Sequence, residues 1–246
     1  MTGSSTKPSL MDTLHAGLSG RVLFEDNHLI MINKLPGEIV QGDKTGDTPL
    51  ADVVKSYIRE KYNKPGQVYL GLAHRIDRPV SGAVIFARTS KALSRLNAML
   101  KNHTIQKKYL AVVQNQPPEN EGVIVHYLRK NQKQNKSYVV PEGTSGSKRA
   151  ELNYRLMSRS ERYYLLEIEL LTGRHHQIRA QLAALGCPIR GDVKYGFDRP
   201  NKDGSIHLHA HVVALIHPVR REPVQVVAPL PGHDPLWACF NHLNNQ

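Results

Sequence analysis

Apolar residues in this chain gather in short runs closed by turns, and only a few stretches carry them at helical spacing. Leu29-Ile30-Met31-Ile32, ended by Lys34-Leu35-Pro36-Gly37, is too short for a helix and has no polar side, so it reads as a buried strand. Val22-Leu23-Phe24 before the turn-prone Glu25-Asp26-Asn27, Leu70 to Leu72, Ala83 to Ala87, Tyr109 to Val113 and the alternating Tyr163 to Leu171 read the same way. Leu208 to Val227 has the pattern of a closing hairpin, and polar Lys130 to Gly146 that of an exposed loop or hairpin. Helical spacing places Leu50, Val53, Val54, Tyr57 and Ile58 on one face, and Ala92, Leu93, Leu96 and Leu100 on another, with Ser90 as N-cap. A third helix spans Gln177 to Leu185 and stops at Gly186. Strands outnumber helices, so the expected class is α+β, a mixed, largely antiparallel sheet flanked by helices and loops. Residues 1–20 are expected to be a flexible N-terminal tail and residues 21–246 a single domain.

Charge narrows the partners. Thirty-three Lys and Arg against 21 Asp and Glu leave +12, a surplus that suits nucleic acid without choosing RNA over DNA. Cys187 and Cys239 are too few for a disulfide framework or a Cys-rich zinc site, and read as reduced thiols of a cytoplasmic protein. The first residues lack the apolar core of a signal peptide, and runs such as Val212 to Ile216 are too short to span a bilayer. His207, His209 and His211 alternate as strand neighbours would, but no carboxylate or cysteine adjoins them in sequence. They read as hydrogen-bonded scaffold, and no metal is expected.

The segment with most chemistry is His74-Arg75-Ile76-Asp77-Arg78-Pro79-Val80-Ser81-Gly82, a turn between apolar strands. Two flanking arginines favour an ionised Asp77, as a nucleophile or proton acceptor requires. On charge pattern alone an ordinary surface ion pair explains the segment equally well.

The segment resembles the H-R-L-D signature of the RluA family of RNA pseudouridine synthases, matching at His74, Arg75, Asp77, Ser81 and Gly82, with Ile76 for Leu. Four further stretches resemble that family: Val22 to Gly37, Lys107-Lys108-Tyr109-Leu110-Ala111-Val112-Val113, Leu171 to Arg179 with His175 in place of the usual Thr or Ser, and Leu185 to Gly196. Leu208-His209-Ala210-His211 and His217-Pro218 resemble its closing segments, so the resemblance covers about Arg21 to Leu230. It implies the pseudouridine synthase fold, with Asp77 as the essential aspartate and Arg179 paired to it. It implies Tyr109 as a stacking phenol and the base for the C5 proton. Arg75 would enter the RNA stack as the target base leaves, Arg78 and Lys34 are assigned to the RNA as well, and Arg174 and His176, with Gln177, are read as scaffold or RNA-backbone contacts. Lys34, with Pro36, is also expected to brace the active-site loop.

The resemblance further implies isomerisation of a flipped uridine in structured RNA, with no cofactor. A large-subunit rRNA is the first choice and a tRNA stem-loop the second. Asp77 acting at C2′, at C1′ or at C6 of the base remains open. A catalytically silent RNA-binding protein of the same fold and a glycosylase releasing uracil are the competing readings. The segment before the first motif is too short for the S4-type domain many relatives carry, so the short type is expected, a monomer with no obligatory protein partner.

Overall fold

The computed structural model describes residues 17–232 and 234–240. Of the expected tail, residues 1–16 lie outside the described residues; Leu18 is fully buried in the main core, and its carbonyl accepts from Arg21 N at 2.9 Å.

Among the described residues one 11-stranded sheet carries the fold. Its strands are β1 (Val22–Glu25), β2 (Leu29–Lys34), β3 (Gly71–Leu72), β4 (Ser81–Ala87), β5 (Gln106–Val113), β6 (Glu121–Asn131), β7 (Lys136–Val140), β8 (Lys148–Arg159), β9 (Tyr164–Leu170), β10 (Leu208–Ile216) and β11 (Pro223–Val227). They lie in the order β1-β2-β4-β10-β5-β9-β8-β6-β7, with β3 beside β4 and β11 beside β10. The helices are α1 (Leu50–Lys61), α2 (Ser90–Lys101), α3 (Gln177–Ala184) and the short α4 (Pro235–Ala238).

Side-chain parity explains the layers. Ile30 and Ile32 of β2 and Val84 and Phe86 of β4 face α1, through Leu50, Val53, Val54 and Ile58. The alternate residues, Leu29, Met31, Ala83 and Ile85, face α2 through Ala92 and Leu96. Both strands are therefore apolar throughout, because helices cover both faces. α3 lies on the same face as α1, with Ile178 and Leu182 against Tyr109, Ala111, Leu166 and Ile168. Trp237 and Phe240 close the opposite face over Leu110, Val112 and Leu165. Each fully buried side chain of this size contributes roughly 1.5–3 kcal/mol.

Ser81–Gly82 of β4 runs parallel to His209–Ala210 of β10, whereas every other strand pair among the described residues is antiparallel. This short junction joins the two halves of the sheet. Gly82 has φ +111° and a Cβ there would lie 2.3 Å from Ala210 O, so only glycine fits. His209 Nε2 donates to Ala228 O at 3.1 Å, which leaves Nδ1 to accept from Ser81 Oγ at 2.8 Å. Burial lowers the ring's pKa to about 4, and it joins the halves as a neutral group.

The helices and the apolar strands lie where the pattern predicts, with two differences. α2 is capped by Thr89, whose Oγ1 accepts from Ala92 N at 3.2 Å, and not by Ser90. The polar stretch after Lys130 is a hairpin, one of the two forms expected, but this β6–β7 pair is set in a larger antiparallel extension with β8 that sequence periodicity does not anticipate. Among the described residues no helix is long and apolar enough to cross a membrane.

Candidate active site

The turn bearing Asp77 connects β3 to β4 just ahead of the junction, and packing fixes its path. His74 Nε2 accepts from Ile85 N at 3.1 Å, Val80 N donates to Asp77 O at 3.0 Å, and Ile206 N to Pro79 O at 3.1 Å. Beneath it Lys34 is fully buried, its Nζ donating to Leu35 O at 2.8 Å and Arg78 O at 3.1 Å. Burial brings the Lys34 pKa down to about 7, against the opposing charges of Glu38 and Asp77. This overturns its assignment to the RNA, because a side chain sealed under the loop reaches no phosphate; its part in bracing the loop stands. Arg78 also departs from expectation. Its guanidinium turns from Asp77 to Asp47 at 2.7 Å, Thr45 Oγ1 at 2.7 Å and Asp43 at 3.4 Å, outside the cavity wall.

The partner of Asp77 comes from α3. Arg179 is nearly buried, donates NH1 to Asp77 Oδ2 at 2.9 Å, and holds both oxygens of Asp192 through Nε at 2.7 Å and NH2 at 2.8 Å. Burial works against the guanidinium's charge, but Asp192 and then Asp77 more than offset it, raising its pKa above the ordinary value. The planar fork spans two carboxylates at once, which a lysine would not do. The two arginines adjacent in sequence thus leave Asp77 to one a hundred residues distant.

The turn before α3 places that arginine. Gln177 Oε1 accepts from Arg174 N and from Thr172 Oγ1, both at 2.8 Å, while its Nε2 donates to Glu151 O at 3.0 Å. His176 precedes the helix in the left-handed region, φ 53°, an uncommon conformation for a residue with a Cβ. Its Nδ1 meets Tyr195 Oη at 2.9 Å, while its Nε2 lies 3.3 Å from Arg179 NH1 and 3.4 Å from Asp77 Oδ2. Arg179 has only N–H groups, so Nε2 accepts from it and the ring proton sits on Nδ1. Burial, beyond what Asp77 offsets, lowers the His176 pKa to about 3. Neutral and turned inward, His176 supports the Asp77–Arg179 pair and is not a cation for phosphate, which favours its scaffold reading over the assignment to the RNA. His175 stacks on it at 3.8 Å and reaches the β6–β7 hairpin, Nδ1 to Ser137 Oγ at 2.9 Å and Nε2 to Asn135 Oδ1 at 3.1 Å.

These groups open on a cavity of about 690 Å³ whose wall includes Asp77, Tyr109, Arg179, Arg75, Arg174 and His176. Six of the eight residues singled out from sequence therefore converge there, and Lys34 and Arg78 do not. Tyr109 is 8% exposed and points from β5 toward the α3 face. Burial, reinforced by the charge of Asp77, pushes its phenol pKa well up, so the resting group is a protonated ring. That favours stacking and hydrogen-bond donation over the proton abstraction expected of it. Arg174 lines the rim but commits Nε to Arg149 O at 2.8 Å. Arg75 is exposed, and no described group binds its guanidinium.

Sequence reasoning gave no role to Asp192 or Tyr195, although both lie in the Gly191-Asp192-Val193-Lys194-Tyr195-Gly196 stretch. The available signal was an acid beside a glycine turn, and the structure shows that acid to be 1% exposed. The three alternating histidines separate: His209 stitches the junction, His211 Nδ1 bonds Ala228 O at 3.0 Å, and His207 Nε2 lies 3.2 Å from Asp234. A carboxylate does therefore join His207, through a contact that sequence spacing could not reveal.

Residues 28–184 match the family described as RNA pseudouridylate synthase. An uncharacterised RNA pseudouridine synthase of Synechocystis is 31% identical over 227 residues, covering 91% of this chain and 69% of that one. A ribosomal large subunit pseudouridine synthase C of Haemophilus ducreyi is 32% identical over 224 residues, covering 89% of this chain and 68% of that one. The solved structure of human RNA pseudouridylate synthase domain containing 4 superposes with a TM-score of 0.78 at 23% identity, over 94% of this chain and 95% of that one, a likeness of fold.

Proposed function

The chain belongs to the RNA pseudouridylate synthase family and is an RNA pseudouridine synthase; from that premise we propose that its substrate is a uridine in a stem-loop of large-subunit ribosomal RNA, isomerised by Asp77. The observation that carries the assignment of Asp77 is its pairing with Arg179 at 2.9 Å on the wall of the cavity. A carboxylate that is partly exposed on one side and anchored on the other is held and aimed, while one edge remains free for the nucleotide.

A uridine in a folded RNA reaches the cavity only by leaving the stack, at a cost of a few kcal/mol. Arg75 at the rim occupies the vacated place. Asp77 then labilises the C1′–N1 bond, through C2′, C1′ or C6. The uracil turns against the Tyr109 ring, C5 bonds to C1′, N1 gains a proton and C5 loses one. While Asp77 keeps its charge, Tyr109 stays protonated. In a covalent ester of Asp77 that charge is gone, which lowers the phenol's proton affinity and makes it a stronger hydrogen-bond donor to the turning uracil. Arg179 and His176 hold the carboxylate, and Asp192 and Tyr195 in turn hold them.

The large-subunit reading rests on relatives named ribosomal large subunit pseudouridine synthases C and D. Residues 21–246 would act as one catalytic unit, a monomer in the cytoplasm with RNA as its partner, in keeping with two free cysteines among the described residues. Mapping pseudouridines in total RNA from cells with and without the gene tests this. Loss of a large-subunit position supports it; loss confined to tRNA moves the substrate, and an unchanged map refutes the assignment.

A further inference from the structure

Two lysines adjacent in β5 have opposite fates. Lys108 pairs with Glu167 at 3.2 Å. Lys107 points to the face Tyr109 occupies and lines the same cavity, and no hydrogen bond or ion pair engages its ammonium among the described residues. Its Nζ reaches the turn before α3, 3.7 Å from where a Cβ on Gly173 would stand. Burial lowers its pKa with no carboxylate to oppose the effect. A half-buried cation on a cavity wall without a counter-charge is a ready partner for an anionic ligand.

A second donor lies close by. Because His74 Nε2 accepts from Ile85 N at 3.1 Å, its ring proton sits on Nδ1, which no described group accepts. His74 lines the cavity, and its burial together with the charge of Lys107 holds the ring neutral, with a pKa of about 3. An unpaired ammonium and an unpaired N–H thus share one side of a cavity whose other cations, apart from Arg75 and Lys101, are already bound to protein groups.

We propose that Lys107 and His74 form a phosphodiester subsite that holds one of the two backbone phosphates flanking the flipped uridine. A neutral uracil carbonyl would leave the ammonium uncompensated, whereas a phosphate oxygen supplies a full charge and accepts from both donors. Two residues along a strand is about 6–7 Å, so an ammonium reaching from Lys107 lies within a nucleotide's span of the Tyr109 ring. The proposal rests on the reading of the cavity as the uridine site.

The test measures binding of the full chain to hairpins carrying the target uridine, with a neutral methylphosphonate at its 5′ or its 3′ linkage. One of the two should weaken wild-type binding about tenfold, the scale of one charge-assisted contact. The same change should cost Lys107→Met nothing, and the slope of log K against log salt should fall by about 0.7 for that variant. Lys108→Met and Lys107→Arg should keep the wild-type sensitivity, the latter guarding against a folding defect. If both methylphosphonates weaken Lys107→Met as much as wild type, the subsite is wrong. If Lys107→Met instead loses its preference for uridine over an abasic target, the lysine meets the base and the phosphate assignment falls. Pseudouridine formation on the unmodified hairpin is scored separately, so a failure of the substrate reading shows as no product whatever the phosphate result.

Discussion

The two sides of the cavity are built on opposite principles. On the α3 side nearly every polar group is spoken for: Arg179 spans Asp77 and Asp192, His176 lies between Tyr195 and Arg179, and His175 is bonded through both nitrogens. On the side formed by the end of α2 and the start of β5, Lys101 and Lys107 have no partner among the described residues, nor does Arg75 at the rim. Chemistry asks for groups that need not reorganise, so their hydrogen bonds are made in advance. Binding a polyanion asks the reverse, charges left for the ligand to neutralise. The difference separates catalytic support from RNA contact more sharply than charge pattern does.

Substitutions on the committed side should have the largest effects. Arg179→Met strands Asp192, 1% exposed, without its cation, and should cost about 3–5 kcal/mol of stability as well as most activity. Arg179→Lys keeps the charge but loses the fork, and should lower kcat about a hundredfold, or about 2.7 kcal/mol, with little change in RNA affinity. Urea unfolding and single-turnover assays check both, and a Lys variant with wild-type kcat would undo the claim that one guanidinium must span two acids.

Tyr109 comes next. A protonated ring that stacks predicts that Tyr109→Phe loses about tenfold in kcat, while Tyr109→Ala loses far more by removing the surface itself. Equal losses in the two variants would return the phenol oxygen to the centre of the mechanism. On the open side, Arg75→Ala should raise KM and flatten the salt dependence by about one phosphate contact or less while leaving a saturated kcat within severalfold. A collapse of kcat alone would move Arg75 to the committed side.

The outcome of the sequence reading follows the same division. Val84, Phe86, Ile30 and Ile32 announced their strands because both faces are apolar, and Ala92 and Leu96 announced α2. β6 stayed hidden because exposed Val123 and Val125 blur its alternation; Ile124 and Leu128 are its buried apolar positions. Arg179 was named through resemblance, whereas the local charge pattern pointed to Arg75 and Arg78, which the fold sends elsewhere. Lys34 illustrates the limit: the resemblance gave it both to the RNA and to bracing the loop, and only packing, which seals it beneath the catalytic loop, separates the two.

Lys34 also yields a test of the packing beneath the loop. Its folded pKa is about 7, below its ordinary value, so from there up to about 10.5 the unfolded chain holds a proton the folded chain has released. Unfolding free energy should therefore rise with pH across that window in wild type relative to Lys34→Met. Parallel pH profiles for the two proteins would show that the amine is not sealed under the loop.

The central claim is that Asp77, held by Arg179 and free on its other edge, carries the chemistry and contributes little to RNA affinity. The direct measurement pairs single-turnover pseudouridine formation with equilibrium binding for Asp77→Asn, on an RNA that the wild-type enzyme modifies. The account predicts product below about one per cent of wild type, the scale expected for losing a nucleophile, with affinity within about threefold. Turnover well above that level with binding intact would place the reaction on another residue and contradict it.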